Sequence, residues 1–68
     1  MNLLPKWLRI AKVGDVVRIQ NDCEYVSSLY RGKIGVVEWM GDKECAVRIP
    51  LDRWHSVVMV SKYEVDVQ

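Results

Sequence analysis

Between Val13 and Gln68 the apolar residues of this chain come in short runs, each cut off within a few positions by turn formers: Gly14-Asp15, Asn21-Asp22, Arg31-Gly32, Gly41-Asp42-Lys43 and Pro50. From Val13 onward the pattern is therefore that of short β-strands whose side chains alternate between two faces. Length tightens the constraint. A chain of 68 residues buries only about 60% of the surface its unfolded form exposes, so nearly every large apolar side chain must share one core. No second domain fits, and a catalytic pocket deeper than a surface groove would have to come from oligomerisation or from a partner.

The first strand is expected over Val16 to Gln20, with Val17 and Ile19 on one face and Arg18 and Gln20 on the other. Residues 21–32 have turn formers at both ends and no sustained period, and they read as a long loop. A second strand spans Ile34 to Met40, interrupted early by Gly35, which in a strand marks a bulge or a close backbone approach. Gly41-Asp42-Lys43 turns tightly into a third strand, Glu44 to Ile49, whose Cys45, Val47 and Ile49 alternate with Ala46 and Arg48. Pro50 cannot donate to a ladder and is expected to end it. A short loop over residues 51–55, a fourth strand from Ser56 to Val60, a single 3₁₀ turn at Ser61-Lys62-Tyr63 and a fifth strand from Glu64 to Val67 complete the chain. The expected fold is all-β, a small five-stranded SH3-like barrel over residues 13–68, because closing the sheet removes edges that would otherwise promote aggregation. Residues 1–12 precede it as a short helical or extended arm. Leu4, Trp7, Leu8 and Ala11 recur at helical spacing there, and Pro5 suits a first helical position.

Ten basic residues against nine acidic ones give a formal charge of +1, which is not the profile of a dedicated nucleic-acid binder. The charge is unevenly spread: residues 1–20 hold Lys6, Arg9, Lys12 and Arg18 against Asp15, four bases to one acid, a net +3. The N-terminus has no uninterrupted apolar h-region or small-residue cleavage site, and no stretch approaches the roughly 18 apolar residues of a membrane span. Cys23 and Cys45 form no CxxC pair, and with a single histidine the usual four-ligand zinc site cannot be assembled in one chain. The expectation is a cytoplasmic, reduced protein with no metal and no cofactor, although a single disulfide between the two cysteines stays open.

Residues Gly14-Asp15-Val16-Val17-Arg18-Ile19, Arg31-Gly32-Lys33-Ile34-Gly35-Val36-Val37-Glu38, Ala46-Val47-Arg48-Ile49 and Tyr63-Glu64-Val65 resemble the SH3-like domains of electron-transport accessory proteins. That group includes the photosystem I subunit PsaE, the variable chain of ferredoxin-thioredoxin reductase and the C-terminal domain of the nitrile hydratase β subunit. The segment from Trp54 to Val65 is also similar to the end of NdhS, a ferredoxin-docking subunit. The resemblance spans about residues 13–67 and implies a non-enzymatic accessory domain that docks or assembles within an electron-transfer complex. The cysteine-rich metal motif of nitrile hydratase is absent, so its chemistry is not implied. Val57-Val58-Met59-Val60 stands where the plasmid-type dihydrofolate reductase, another small barrel, carries a Val-Gln-Ile-Tyr strand, and it lacks the polar contacts of that enzyme's pore. Gly32-Lys33-Ile34-Gly35-Val36-Val37 further resembles a KOW motif, which implies an alternative role on RNA or a nucleoprotein.

The residues expected to meet a partner are Tyr25, Tyr30, Arg31 and Lys33 around the long loop, with Arg53 and Trp54 in the later one. Lys6, Arg9 and Lys12 would add a basic arm, and with Arg18 the cations would form one face that steers an acidic protein. Tyr25 and Tyr30 are expected to be exposed. In a chain without phenylalanine, Trp39 and Trp54 are expected in or half in the core. His55 beside Asp52 and Arg53 resembles part of an acid-base group, yet no serine, cysteine or second histidine completes it at a recognisable spacing. Cys23 and Cys45 read as small apolar residues, and Glu38, Asp42 and Glu44 as a solubilising set around a hairpin. A third reading, an oligomeric enzyme with its site at a symmetric interface, has no catalytic residues to name.

Overall fold

The computed structural model describes residues 10–24 and 26–68, and these form the short alternating strands that the sequence dictates. β1 (Val16–Ile19), β2 (Ile34–Met40), β3 (Glu44–Pro50), β4 (His55–Ser61) and β5 (Val65–Val67) make one antiparallel sheet in the order β4-β3-β2-β1-β5. No helix occurs among the described residues. Of the N-terminal arm, residues 1–9 lie outside the described residues; Ala11 is buried in the core and Lys12 is exposed.

All five strands feed one buried cluster. Val17 and Ile19 of β1, Val37 of β2, Cys45, Val47 and Ile49 of β3, Val60 of β4 and Val65 of β5 meet there, joined by Ala11, Cys23 and Val26 from the connections. A single sheet with no second layer can enclose such a cluster only by curling around it, as small barrels do. The ladders do not close the ring: β4 and β5 are the two ends of the sheet, linked through the turn between them. Among the described residues, β-branched valines and isoleucines with two cysteines and Ala11 fill the interior, and Tyr30 packs against it. Trp39 and Trp54 are 51% and 65% exposed, against the expectation that they sit in or half in the core.

Gly35 shows why the curl is possible. A Cβ at this position would meet the Arg48 carbonyl oxygen and lie 2.7 Å from Val47 Cγ1, so β2 can cross this closely over β3 only without a side chain. This is the close approach that the glycine suggests; the bulge lies further on, where the β2–β3 register slips between Val37 and Trp39. One extra residue reverses the alternation there. Val37 points into the core, Glu38 and Trp39 both stand outside, and Met40 packs back against the interior.

Strand limits differ from expectation by single residues. β1 stops at Ile19, because the Gln20 amide instead donates to the Glu64 carbonyl. β3 includes Pro50, whose missing N–H falls beyond the last β2–β3 pair, Val36 with Arg48, so no ladder bond is lost. β4 gains His55 and Ser61, and β5 begins at Val65. Between them the Glu64 amide donates to the Ser61 carbonyl, which closes the single turn expected at Ser61-Lys62-Tyr63.

Candidate partner-binding site

The long connection from Gln20 to Lys33 is not a slack loop. At its base the Ile19 amide donates to the Lys33 carbonyl and the Gly32 amide to the Ile19 carbonyl. Gly32 sits at φ 76°, a backbone conformation open to glycine at little cost. In its middle Cys23 and Val26 are buried in the core. Toward its end two successive turns follow, with the Tyr30 amide donating to Ser27 and the Lys33 amide to Tyr30.

The contact that gives this end of the sheet a defined surface is long-range. The Tyr30 hydroxyl lies 3.2 Å from the hydroxyl of Ser56, the second residue of β4, which ties the loop to the start of that strand. Tyr30 is therefore half-buried, its ring packed against the core, and not the freely exposed aromatic expected. Two residues before Ser56, Trp54 closes the tight turn after β3, where the Leu51 amide donates to the Trp54 carbonyl. Arg53 and Trp54 project from that turn and are exposed.

Arg31 follows Tyr30 and is half-buried, with its Nε shielded from solvent and without a hydrogen-bond partner among the described residues. Lys33, at the base of the loop, is exposed. Tyr30, Arg31, Arg53 and Trp54, with Lys33 close by in the chain, thus belong to the two connections that the Tyr30–Ser56 contact joins. Lys12 does not join them. It sits in a turn before β1, its amide donating to Asp15 Oδ2, whereas Lys33 pairs with Ile19 at the far end of that strand. Four strand residues, about 13 Å, separate the two levels. Tyr25, Lys6 and Arg9 lie outside the described residues.

Both cysteines are buried thiols, and burial pushes the Cys45 thiol above its ordinary value, which lowers its thiolate fraction at neutral pH. His55 is exposed, and Asp52 and Arg53 beside it are exposed turn residues. Among the described residues no group of three or more His, Cys, Asp and Glu converges as a metal site requires, and no helix is long and apolar enough to cross a membrane. Glu38 does more than solubilise: it pairs with Arg48 across β2 and β3.

Sequence reasoning missed a second surface altogether. The outer face of the sheet carries exposed Val16, Ile34, Val36, Trp39, Val57 and Met59, aligned by the registers Val16 with Val36 and Ala46 with both Trp39 and Met59. The signal was the doublets Val16-Val17, Val36-Val37 and Val57-Val58, in which only one member of each pair can face the core. Comparison of the chain with family models, with curated proteins and with solved structures returns no match.

Proposed function

We propose that this protein is a small non-enzymatic binding module that holds an acidic partner protein against the loop end of its sheet. The observation that carries the reading is the Tyr30–Ser56 contact, which joins the long loop to the segment after Trp54 and so gathers aromatic and cationic side chains from distant parts of the chain. Cations of one sign steer an acidic surface, and an aromatic ring supplies contact area at low entropic cost. Arg31 fits the same role, since its half-buried guanidinium has an Nε with no acceptor among the described residues and would gain a charge-assisted bond from an incoming carboxylate. Docking or assembly in an electron-transfer complex is the setting implied by the family resemblance. A cytoplasmic location accords with two cysteines held as thiols.

The test is a titration of the full chain with a plant-type ferredoxin as the acidic probe, at low and at high salt. Binding should weaken about tenfold or more in Arg31→Glu/Lys33→Glu, and most of that difference should vanish at about 0.5 M salt. Equal affinity of the variant and the native chain would sink the proposal. Titration with labelled RNA in parallel addresses the KOW-like alternative, because phosphate contacts give a steep loss of affinity with salt. RNA binding with that slope, and no ferredoxin binding, would replace the protein partner with a nucleic acid.

A further inference from the structure

We infer that the free edge of β4 is a self-association site, at which a second copy of this chain adds its own β4 antiparallel across a two-fold axis. β4 is the last strand of the sheet on its side and pairs only with β3 among the described residues. The Leu51 amide donates to Trp54 at one end of this hairpin, and the Lys62 amide donates to Lys43 at the other. Antiparallel pairs alternate, so Ser56, Val58 and Val60 exchange bonds with β3, while His55, Val57 and Met59 turn their N–H and C=O groups off the edge. These groups form a template for another strand.

Two features favour a second copy. First, the sequence His55-Ser56-Val57-Val58-Met59-Val60-Ser61 contains no lysine, arginine, aspartate, glutamate or proline, the residues with which monomeric proteins usually block an edge. β5, at the opposite edge, is guarded: it has three residues, carries Asp66, and is flanked by the Gln20 side chain bonded to Asp66 Oδ1. Second, the register that uses every outward group sets Val57 opposite Met59 of the second copy and His55 opposite its Ser61. Apolar then meets apolar, and no lysine, arginine or carboxylate lies within the paired strands.

The site is also physically open. Val57 and Met59 are each about half exposed, and a groove of about 430 Å³ lined by Lys43, Glu44, Met59, Val60 and Ser61 runs along the end of the strand. Pairing would extend the outer apolar face into a continuous row from Trp39 through Ala46 and Met59 to Val57 of the second copy. Strand pairing buries little area, which makes this a concentration-dependent dimer rather than a permanent one. Tyr30, Arg31 and Lys33 stand in the loop before β2, outside the new pairing, whereas Arg53 and Trp54 lie in the turn that flanks it, so the dimer does not require the loop-end reading but adjoins that half of its surface.

The test combines sedimentation equilibrium of the full chain with amide hydrogen exchange, from about 10 μM to about 1 mM, the range in which weak dimers populate. The mass should rise toward that of two chains, and the Val57 and Met59 amides should become protected in step with it. Met59→Lys should raise the dissociation constant about tenfold or more while leaving the circular dichroism spectrum unchanged, because the side chain is exposed in the monomer. A monomer throughout the range would overturn the inference. So would a dimer whose Val57 and Met59 amides stay unprotected, or an association that Met59→Lys leaves intact. Protection of both amides in a monomer, independent of concentration, would overturn it by showing an edge already covered.

Discussion

The loop end and the outer face of the sheet are both exposed, yet they are built in opposite ways. The loop end is irregular backbone held in place by turns, two buried anchors and one side-chain hydrogen bond, and it presents Tyr30, Arg31, Arg53 and Trp54. The outer face is regular ladder that needs no such anchoring, and it presents Val16, Val36, Val57 and Met59. Mixed cationic and aromatic chemistry recognises acidic groups and weakens with salt, whereas a mostly apolar face, on which Arg48 is already paired with Glu38, responds less to ionic strength. One small sheet therefore separates two recognition surfaces by chemistry, and what they share is the interior that supports both.

Breaking that shared support should have the largest effect. Gly35→Val would drive methyl groups into the Arg48 carbonyl and the Val47 side chain, with no flexible neighbour to give way. We expect a loss of more than about 3 kcal/mol, enough to unfold a domain of this size, seen as a flat urea curve and collapsed amide dispersion. Ile49→Ala removes buried atoms from the centre of β3, where Ile49 has no exposed surface, and should cost about 2–5 kcal/mol in urea unfolding while both surfaces remain formed.

A narrower change should split the two surfaces. Tyr30→Phe deletes the hydroxyl that reaches Ser56, at a cost of about 0.5–1.5 kcal/mol, and should speed amide exchange in residues 26–32 while leaving β2 and β3 protected. Equal loosening of β2 would mean that the loop is not an independent unit. The smallest effect is expected on the outer face. Val36→Thr, at a position 41% exposed, should stay within about 0.5 kcal/mol of the native chain. A larger cost would show that something covers this face in solution.

The strands were legible in the sequence to within a residue because each is bounded by residues with one conformational meaning, such as Gly41-Asp42 and Gly14-Asp15. β1 could also be oriented, since Arg18 and Gln20 fix Val17 and Ile19 as the inner face. The doublets at Val36-Val37 and Val57-Val58 offer no such contrast, and a one-residue bulge at Glu38 then turned Trp39 outward. Among the described residues the interior is filled by valine, isoleucine, cysteine and alanine, which leaves Trp39 and Trp54 at the surface. The loop end was legible only as a set of residues. Its organising contact, Tyr30 to Ser56, spans 26 positions and leaves no local trace.

The most direct test of the central claim, that partners are held at the loop end, is a ¹H–¹⁵N spectrum of the full chain titrated with ferredoxin as the acidic probe. The account predicts shifts concentrated at Tyr30, Arg31, Lys33, Arg53 and Trp54, fading as salt rises. Shifts centred on Val36, Val57 and Met59 and insensitive to salt would contradict it.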